Sequence, residues 1–274
     1  MVCLAVLCST ATPALAAAVF QIRGGGDGHG IGMSQYGADG YALHGWSYRA
    51  ILAHYYSGTA IGTTDPNRTV RVLLATGSAA FSGATAAGQD PIGRARVQRL
   101  RARSDGSLLL VDGAGRKVGV FPAPLRVSGP APLSVAGLGP YRGALEFRPN
   151  GTGGVETVDA LALDDYVRGV ISAEMPAEWS AAALETQAVA ARTYAITTNR
   201  GGTAFDQYAD TRSQMYGGVA AETAATDAAV AATRGQVVTY HGVPVVTYFF
   251  NSSGGHTENI ENVWAGSTPE LLKK

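Results

Sequence analysis

The rhythm of apolar and polar positions divides this 274-residue chain into blocks. FQIR at 20–23 reads as a short strand and runs into the glycine-rich GGGDGHGIG. Helical spacing follows around MSQYGADGYALHG, residues 33–45, and Ser47 stands where an N-cap belongs, ahead of YRAILAHYY, which stops at Ser57-Gly58. From 68 to 150 the period shortens to that of strands. TVRVLLAT, ARVQRLRA, SLLLV, GRKVGVF and LRVSG are separated by Gly, Pro and Ser-Asp-Gly turns, and the small residues at 76–89 predict a loop. From about 155 the periods mix. VETVDAL predicts a strand, LDDYVRGVI a helix, and a second helix capped by Ser180 runs through 198. FDQYADTRSQMYGG reads as a loop, residues 222–233 as an Ala- and Thr-rich helix ending at Arg234-Gly235. QVVTY and VPVVTYFF predict a hairpin across His241-Gly242, and NSSGGHTENIENVW follows.

This order predicts an α+β fold, with mixed helices and strands beside a β-rich subdomain. The expected divisions are 1–18, 19–64, 65–150 and 151–274. Hydrophobic residues at 46% and charged residues at 15% fit a folded globular chain. Lys plus Arg equals Asp plus Glu at 21 each, so no net field draws nucleic acid or acidic membranes.

Residues 4–16, LAVLCSTATPALA, form a short apolar run ending in a small-x-small pattern at Ala14-Leu15-Ala16, without the usual basic residues ahead of it. The expectation is a removed export signal over 1–18 and a secreted mature protein. The run is too short for a spanning helix, and no other segment is long and apolar enough to cross a membrane. Cys3 and Cys8 both lie in it, so the mature chain is expected to hold no disulfide and no thiolate metal site.

Candidate chemistry concentrates in GVISAEMPAEWSAAALETQAVAARTY, residues 169–194. Glu174 sits in an expected non-helical break, followed by Met175 and Pro176, with Gln187, Arg192 and Tyr194 on the helix behind it. An acid held by a tight turn against a helix suits a proton donor, and a carboxylate capping backbone N–H groups suits the same position. Arg192 has two readings, a substrate contact or an ion pair with Asp164, Asp165 or Glu185. Tyr194 and Tyr248 are candidates for stacking on sugars or for core packing, and His29 for a substrate contact or a structural hydrogen bond. GGGDGHGIG lacks a surrounding βαβ unit, which excludes a nucleotide cradle; its glycines fit close backbone packing or positive φ. The five histidines show no metal spacing, and His44 and His54 read as surface or interface residues. Ser253 and His256 lack a nucleophile elbow.

With GHGIGMSQYGADGYALHGWSYRAILAHYYSGT at one end and LDDYVRGVISAEMPAEW, LETQAVAARTYA and SSGGHTENIENVW at the other, the chain resembles the SpoIID/LytB family, named for stage II sporulation protein D and an amidase-enhancer relative. The resemblance implies that 151–274 is a catalytic region on which 19–64 packs. It implies a peptidoglycan lytic transglycosylase with Glu174, of Glu174-Met175-Pro176, as catalytic acid and then base. One carboxylate suffices there, because the nucleophile is the C6 hydroxyl of the same N-acetylmuramic acid and the product is a 1,6-anhydro sugar. Gln187, Arg192, Tyr194, Tyr248, Ser252 of the Ser-x-Gly-Gly-x-Thr loop and His29 become expected substrate-binding residues. Peptidoglycan glycan strands are the expected partner, with a cell-wall amidase as the partner in the family's enhancer branch. No cofactor is expected. Ala209 and Ser213 stand where some members carry zinc-binding cysteines, so no metal is expected either. Glu185 replaces a frequent Lys, Asp27 replaces the usual aromatic before Gly-His-Gly, and the chain is shorter than the family pattern after Trp264.

Overall fold

A computed structural model describes residue 21 and residues 24–93 and 97–264. The expected export signal and nearly all of the expected strand at 20–23 lie outside the described residues.

The fold is α+β, as expected. Two antiparallel-rich sheets carry the middle of the chain. The larger is ordered Gln207–Tyr208, Thr69–Gly77, Val155–Ala162, Ala144–Pro149, Leu125–Ser128, Ala86–Ala87, Asp90–Pro91. The second is ordered Lys117–Phe121, Leu108–Asp112, Gln98–Ala102, Ala79–Ser82, Leu133–Val135, Gly139–Tyr141. Phe81 of the second stacks on Phe147 of the first at 5.1 Å, joining the sheets in one core. Val155–Ala162 is buried almost throughout, because it packs between neighbouring strands with the second sheet and a helix against it. The expected loop at 76–89 is a correction. Ala79–Ser82 and Ala86–Ala87 are strands, since Ala79, Phe81 and Ala87 are buried in the core. The small residues misled because both strands lie between neighbouring strands, and that pairing comes from segments distant in sequence.

The helices are α1 (Gln35–Leu43), α2 (Tyr48–Tyr55), α3 (Leu163–Glu174), α4 (Ala181–Thr197), α5 (Ala224–Ala232) and the short α6 (Ile260–Val263). Ser47 caps α2 as expected, its Oγ accepting the Ala50 N–H at 3.3 Å, and Ser34 does the same for Gly37 at 3.1 Å, whereas Ser180 is the N-cap residue of α4 with no side-chain capping hydrogen bond. Helix α4 is the hub, packed by α1, α2, α3 and α5 and buried without a break from Thr186 to Ala195. Its alanines let four helices approach closely.

The expected hairpin forms only in part. Gln236–Tyr240 pairs with Val243–Pro244 and, on its other side, with Ala60–Thr63. The chain then leaves, and Phe249–Phe250 pairs in parallel with Met33–Ser34. The glycine run makes this return possible. A Cβ on Gly32 would lie 2.1 Å from the Tyr248 carbonyl oxygen, and Gly32 has φ +78°. No helix among the described residues is long and apolar enough to cross a membrane.

Candidate functional site

Glu174 is the last residue of α3, not a residue of the break behind it. The break starts at Met175, which turns extended (φ −130°, ψ 144°) because the following Pro176 disfavours helix at its predecessor. The carboxylate is half-buried. Its Oε1 accepts the backbone N–H of Met215 at 2.6 Å, and Oε2 lies 3.5 Å from Gln35 Nε2 on α1, which also donates to the Glu174 carbonyl at 3.2 Å. Burial pushes the Glu174 carboxyl above its ordinary value, against the opposing pull of the Met215 and Gln35 hydrogen bonds. The helix C-terminus, the negative end of the dipole, also disfavours charge there. Met175 is buried beside it, and Trp179 meets Tyr36 edge-on at 4.8 Å.

The Met215 N–H is held by buried polar contacts on either side of it. Gln214 Nε2 donates to Tyr166 Oη at 3.1 Å and to the Ala191 carbonyl at 3.4 Å, and Tyr216 Oη donates to Asp159 Oδ2 at 2.7 Å. Asp159 is fully buried, and burial pushes its carboxyl up to about 8. Sequence reasoning missed this set. Gln214, Met215 and Tyr216 lie in a stretch whose polar composition signals only a loop, and their partners are distant in sequence.

The expected substrate-binding residues scatter. Arg192 is a correction: it is fully buried, its Nε donates to Asp164 Oδ1 at 2.6 Å, and Nη1 donates to the carbonyls of Ala188 and Gln236. The ion-pair reading therefore holds, and the side chain has no open face for a sugar. Gln187 is likewise fully buried, inside the helical layer. Tyr194 is buried with its hydroxyl accepting from Arg200 Nη2 at 3.0 Å, which is a core role. His29, Tyr248 and Trp264 do come together, with ring separations of 5.0 to 6.1 Å. His29 Nδ1 accepts the Ile31 N–H at 3.0 Å, and burial lowers its pKa. Ser252 is half-buried in a short strand pairing with Gly26–Asp27. The groups that reach the Glu174 carboxylate come instead from Gln35 and Met215.

A cavity of about 770 Å³ lies against α1. Its walls include Gly40, Tyr41, Trp46, His54, Ser253 and His256, and Glu174 is not among them. His44 and His54 are exposed, as expected, and they line this cavity.

Residues 151–240 match the family model described as stage II sporulation protein, SpoIID. The chain is 44% identical over 108 residues to the amidase enhancer of Bacillus subtilis, covering 39% of this chain and 15% of that one. It is 35% identical over 136 residues to stage II sporulation protein D of the same organism, covering 42% and 39%. An uncharacterized protein of Brachyspira hyodysenteriae is 40% identical over 135 residues, covering 48% and 36%. The similarity to stage II sporulation protein D and to the amidase enhancer is thus a similarity of part of the chain. It spans less than half the length of each of these relatives.

Ser213 Oγ accepts the Tyr208 N–H at 3.0 Å. Among the described residues no cluster of His, Cys, Asp and Glu is arranged to hold a metal ion. Glu185 is half-buried on α4, where burial raises its pKa.

Proposed function

We propose that this chain is a peptidoglycan lytic transglycosylase, exported to the cell wall, with Glu174 as the general acid and then the general base. The observation that carries the reading is the Glu174 environment: a half-buried carboxyl at a helix C-terminus, raised in pKa by burial and touched by Met215 and Gln35 rather than by a cation. Such a group holds its proton at higher pH than an ordinary carboxylate. It protonates the oxygen of the bond between N-acetylmuramic acid and N-acetylglucosamine. The resulting carboxylate removes the proton from the C6 hydroxyl of the muramic acid, whose oxygen closes on C1, giving a 1,6-anhydro end and restoring the acid. The ion pair with Asp164 supports this reading, because it keeps the Arg192 charge turned to its own partner.

The test is mass spectrometry of products from peptide-stripped glycan strands. The wild-type chain should generate anhydro-muramic ends and the Glu174→Gln variant, which keeps the shape without the proton, should not. Continued release by the variant would falsify the mechanism.

A second reading is favoured by the 44% identity to an amidase enhancer. Here the chain binds the wall and a cell-wall amidase without cutting sugar. It predicts no anhydro ends from the protein alone and faster amide cleavage once an amidase is added.

A further inference from the structure

The geometry points to Tyr216, through the bond of its hydroxyl to Asp159, and to Gln214 as positioning residues that hold the Met215 N–H on the Glu174 carboxylate. This rests on the reading of Glu174 as the acid and adds which residues place its backbone donor.

Met215 does not place itself. Its side chain is 39% exposed, so burial of that side chain does not fix the peptide whose N–H lies 2.6 Å from Glu174 Oε1. The neighbours on either side do. Gln214 is fully buried and bonds Tyr166 on α3 and the Ala191 carbonyl on α4 through one amide nitrogen. Tyr216 is buried as well, with its hydroxyl 2.7 Å from Asp159 Oδ2 on the strand Val155–Ala162. Its ring lies 5.2 Å from that of Tyr166 and 5.8 Å from that of Tyr141. Gly169 on α3 makes room for it, because a Cβ there would stand 2.6 Å from the Tyr216 ring. One step on, the Gly217 N–H donates to the Gly169 carbonyl at 3.0 Å. The segment 214–217 is thus docked along α3, the helix that ends in Glu174.

As plain packing, the Asp159–Tyr216 pair is a costly choice. Asp159 is fully buried, and among the described residues the Tyr216 hydroxyl bonds its Oδ2 while Oδ1 has no hydrogen-bond partner. An apolar pair of similar shape would hold a core about as well. Apolar burial has no direction, whereas a hydrogen bond has one. The contact that gains from that direction is the one beside it, since an N–H on a carboxylate weakens steeply once it is misaligned. The gain is largest after Glu174 has given up its proton, when Oε1 carries charge and Met215 and Gln35 are its donors. Of the other titratable groups, Tyr166 feels the Glu174 charge, and Tyr216, Tyr141, Asp165 and Arg126 couple to Asp159.

The experiment is an NMR titration of the full chain with 13C-labelled glutamate and 15N-labelled methionine, read at the Glu174 carboxyl carbon and the Met215 amide. Comparison with Glu174→Gln assigns the carboxyl signal. In wild type both nuclei should titrate with one midpoint. Tyr216→Phe keeps the ring and removes the hydroxyl; Gln214→Met keeps the length and removes the amide. Each should raise the Glu174 midpoint by about half a unit to one unit, because the charged form loses its aligned donor, and the Met215 amide should lose its response. Phe81→Leu, in the core between the sheets, is the control: it should lower stability and leave Glu174 where it was. If Tyr216→Phe does not fold, Tyr216→Phe with Asp159→Val removes both polar partners at once, and Gln214→Met serves on its own. A wild-type Glu174 midpoint in the folded variants overturns the proposal, as does an equal shift in Phe81→Leu. The titration needs no glycan, so the two readings fail separately. Absence of anhydro ends from wild type removes the acid role, while a raised midpoint in the variants still upholds the placement of the N–H.

Discussion

The two ends of α3 carry the same kind of group in opposite circumstances. Asp164 sits in the first turn, where the helix dipole favours a negative charge, and it is closed by Arg192 at 2.6 Å. Glu174 sits at the last residue, where the dipole disfavours charge, and receives only a backbone N–H and a side-chain amide. At the first end burial is balanced by a full counter-charge. At the second it is balanced only in part, so the pKa rises. The comparison teaches that burial alone does not make a proton donor; what the buried carboxyl is paired with decides between a structural and a chemical role.

The largest expected effect falls on the Glu174 end. Glu174→Gln should lower the rate of anhydro-muramic release by about 10²–10⁴-fold, read by mass spectrometry, with little change in melting temperature. A similar loss on altering Asp164 in a still-folded protein would break the contrast. At the other end, Arg192→Met leaves the half-buried Asp164 without its partner and should cost about 3 kcal/mol of stability in urea unfolding. The alkaline limb of the rate profile should not move in any fraction that folds; if it did, Arg192 would be acting on Glu174.

Asp159 sharpens the comparison from beneath. Its carboxyl goes from an ordinary 3.8 to about 8 in the fold, chiefly through burial. Between those values the folded chain holds a proton that the unfolded chain has released. Stability therefore falls as pH rises through this window, at up to about 1.4 kcal/mol per pH unit. Asp159→Asn, which mimics the protonated acid before Tyr216, should flatten that slope and raise stability near pH 8, measured by unfolding at a series of pH values. The smallest effect is expected at Gln35. Gln35→Met removes the side-chain donor to Glu174, so the acid's pKa should rise further and the alkaline limb of activity should move up. The cost in stability should be about 1 kcal/mol. A downward move would mean that Gln35 does not favour the charged form.

Much of the fold was readable along the chain. Ser47, Thr69–Gly77, Val155–Ala162 and the stop at Met175-Pro176 carry local signals, since caps, alternation and proline act within a few residues. The small-residue strands at Ala79–Ser82 and Ala86–Ala87 were not, because their burial comes from what packs on them. Val243–Phe250 was half legible: its start pairs with the adjacent strand, and its end pairs with Met33–Ser34 near the other end of the chain. Around the site, Glu174 was legible from its place before Pro176. Gln35, 139 residues away, and the Met215 N–H, 41 residues away, were not. The gathering of His44, His54 and His256 at one cavity also left no mark in their spacing.

By itself the sequence determined the order of helices and strands and put an acid where a helix must end, because periodicity, capping and proline sterics are short-range. Only the tertiary structure turned Arg192 to Asp164, brought Gln35 and Met215 to Glu174, and sealed Asp159 under Tyr216. Desolvation and hydrogen bonds between distant segments exist only once the chain has packed, and those are the forces that set the charge of a buried group.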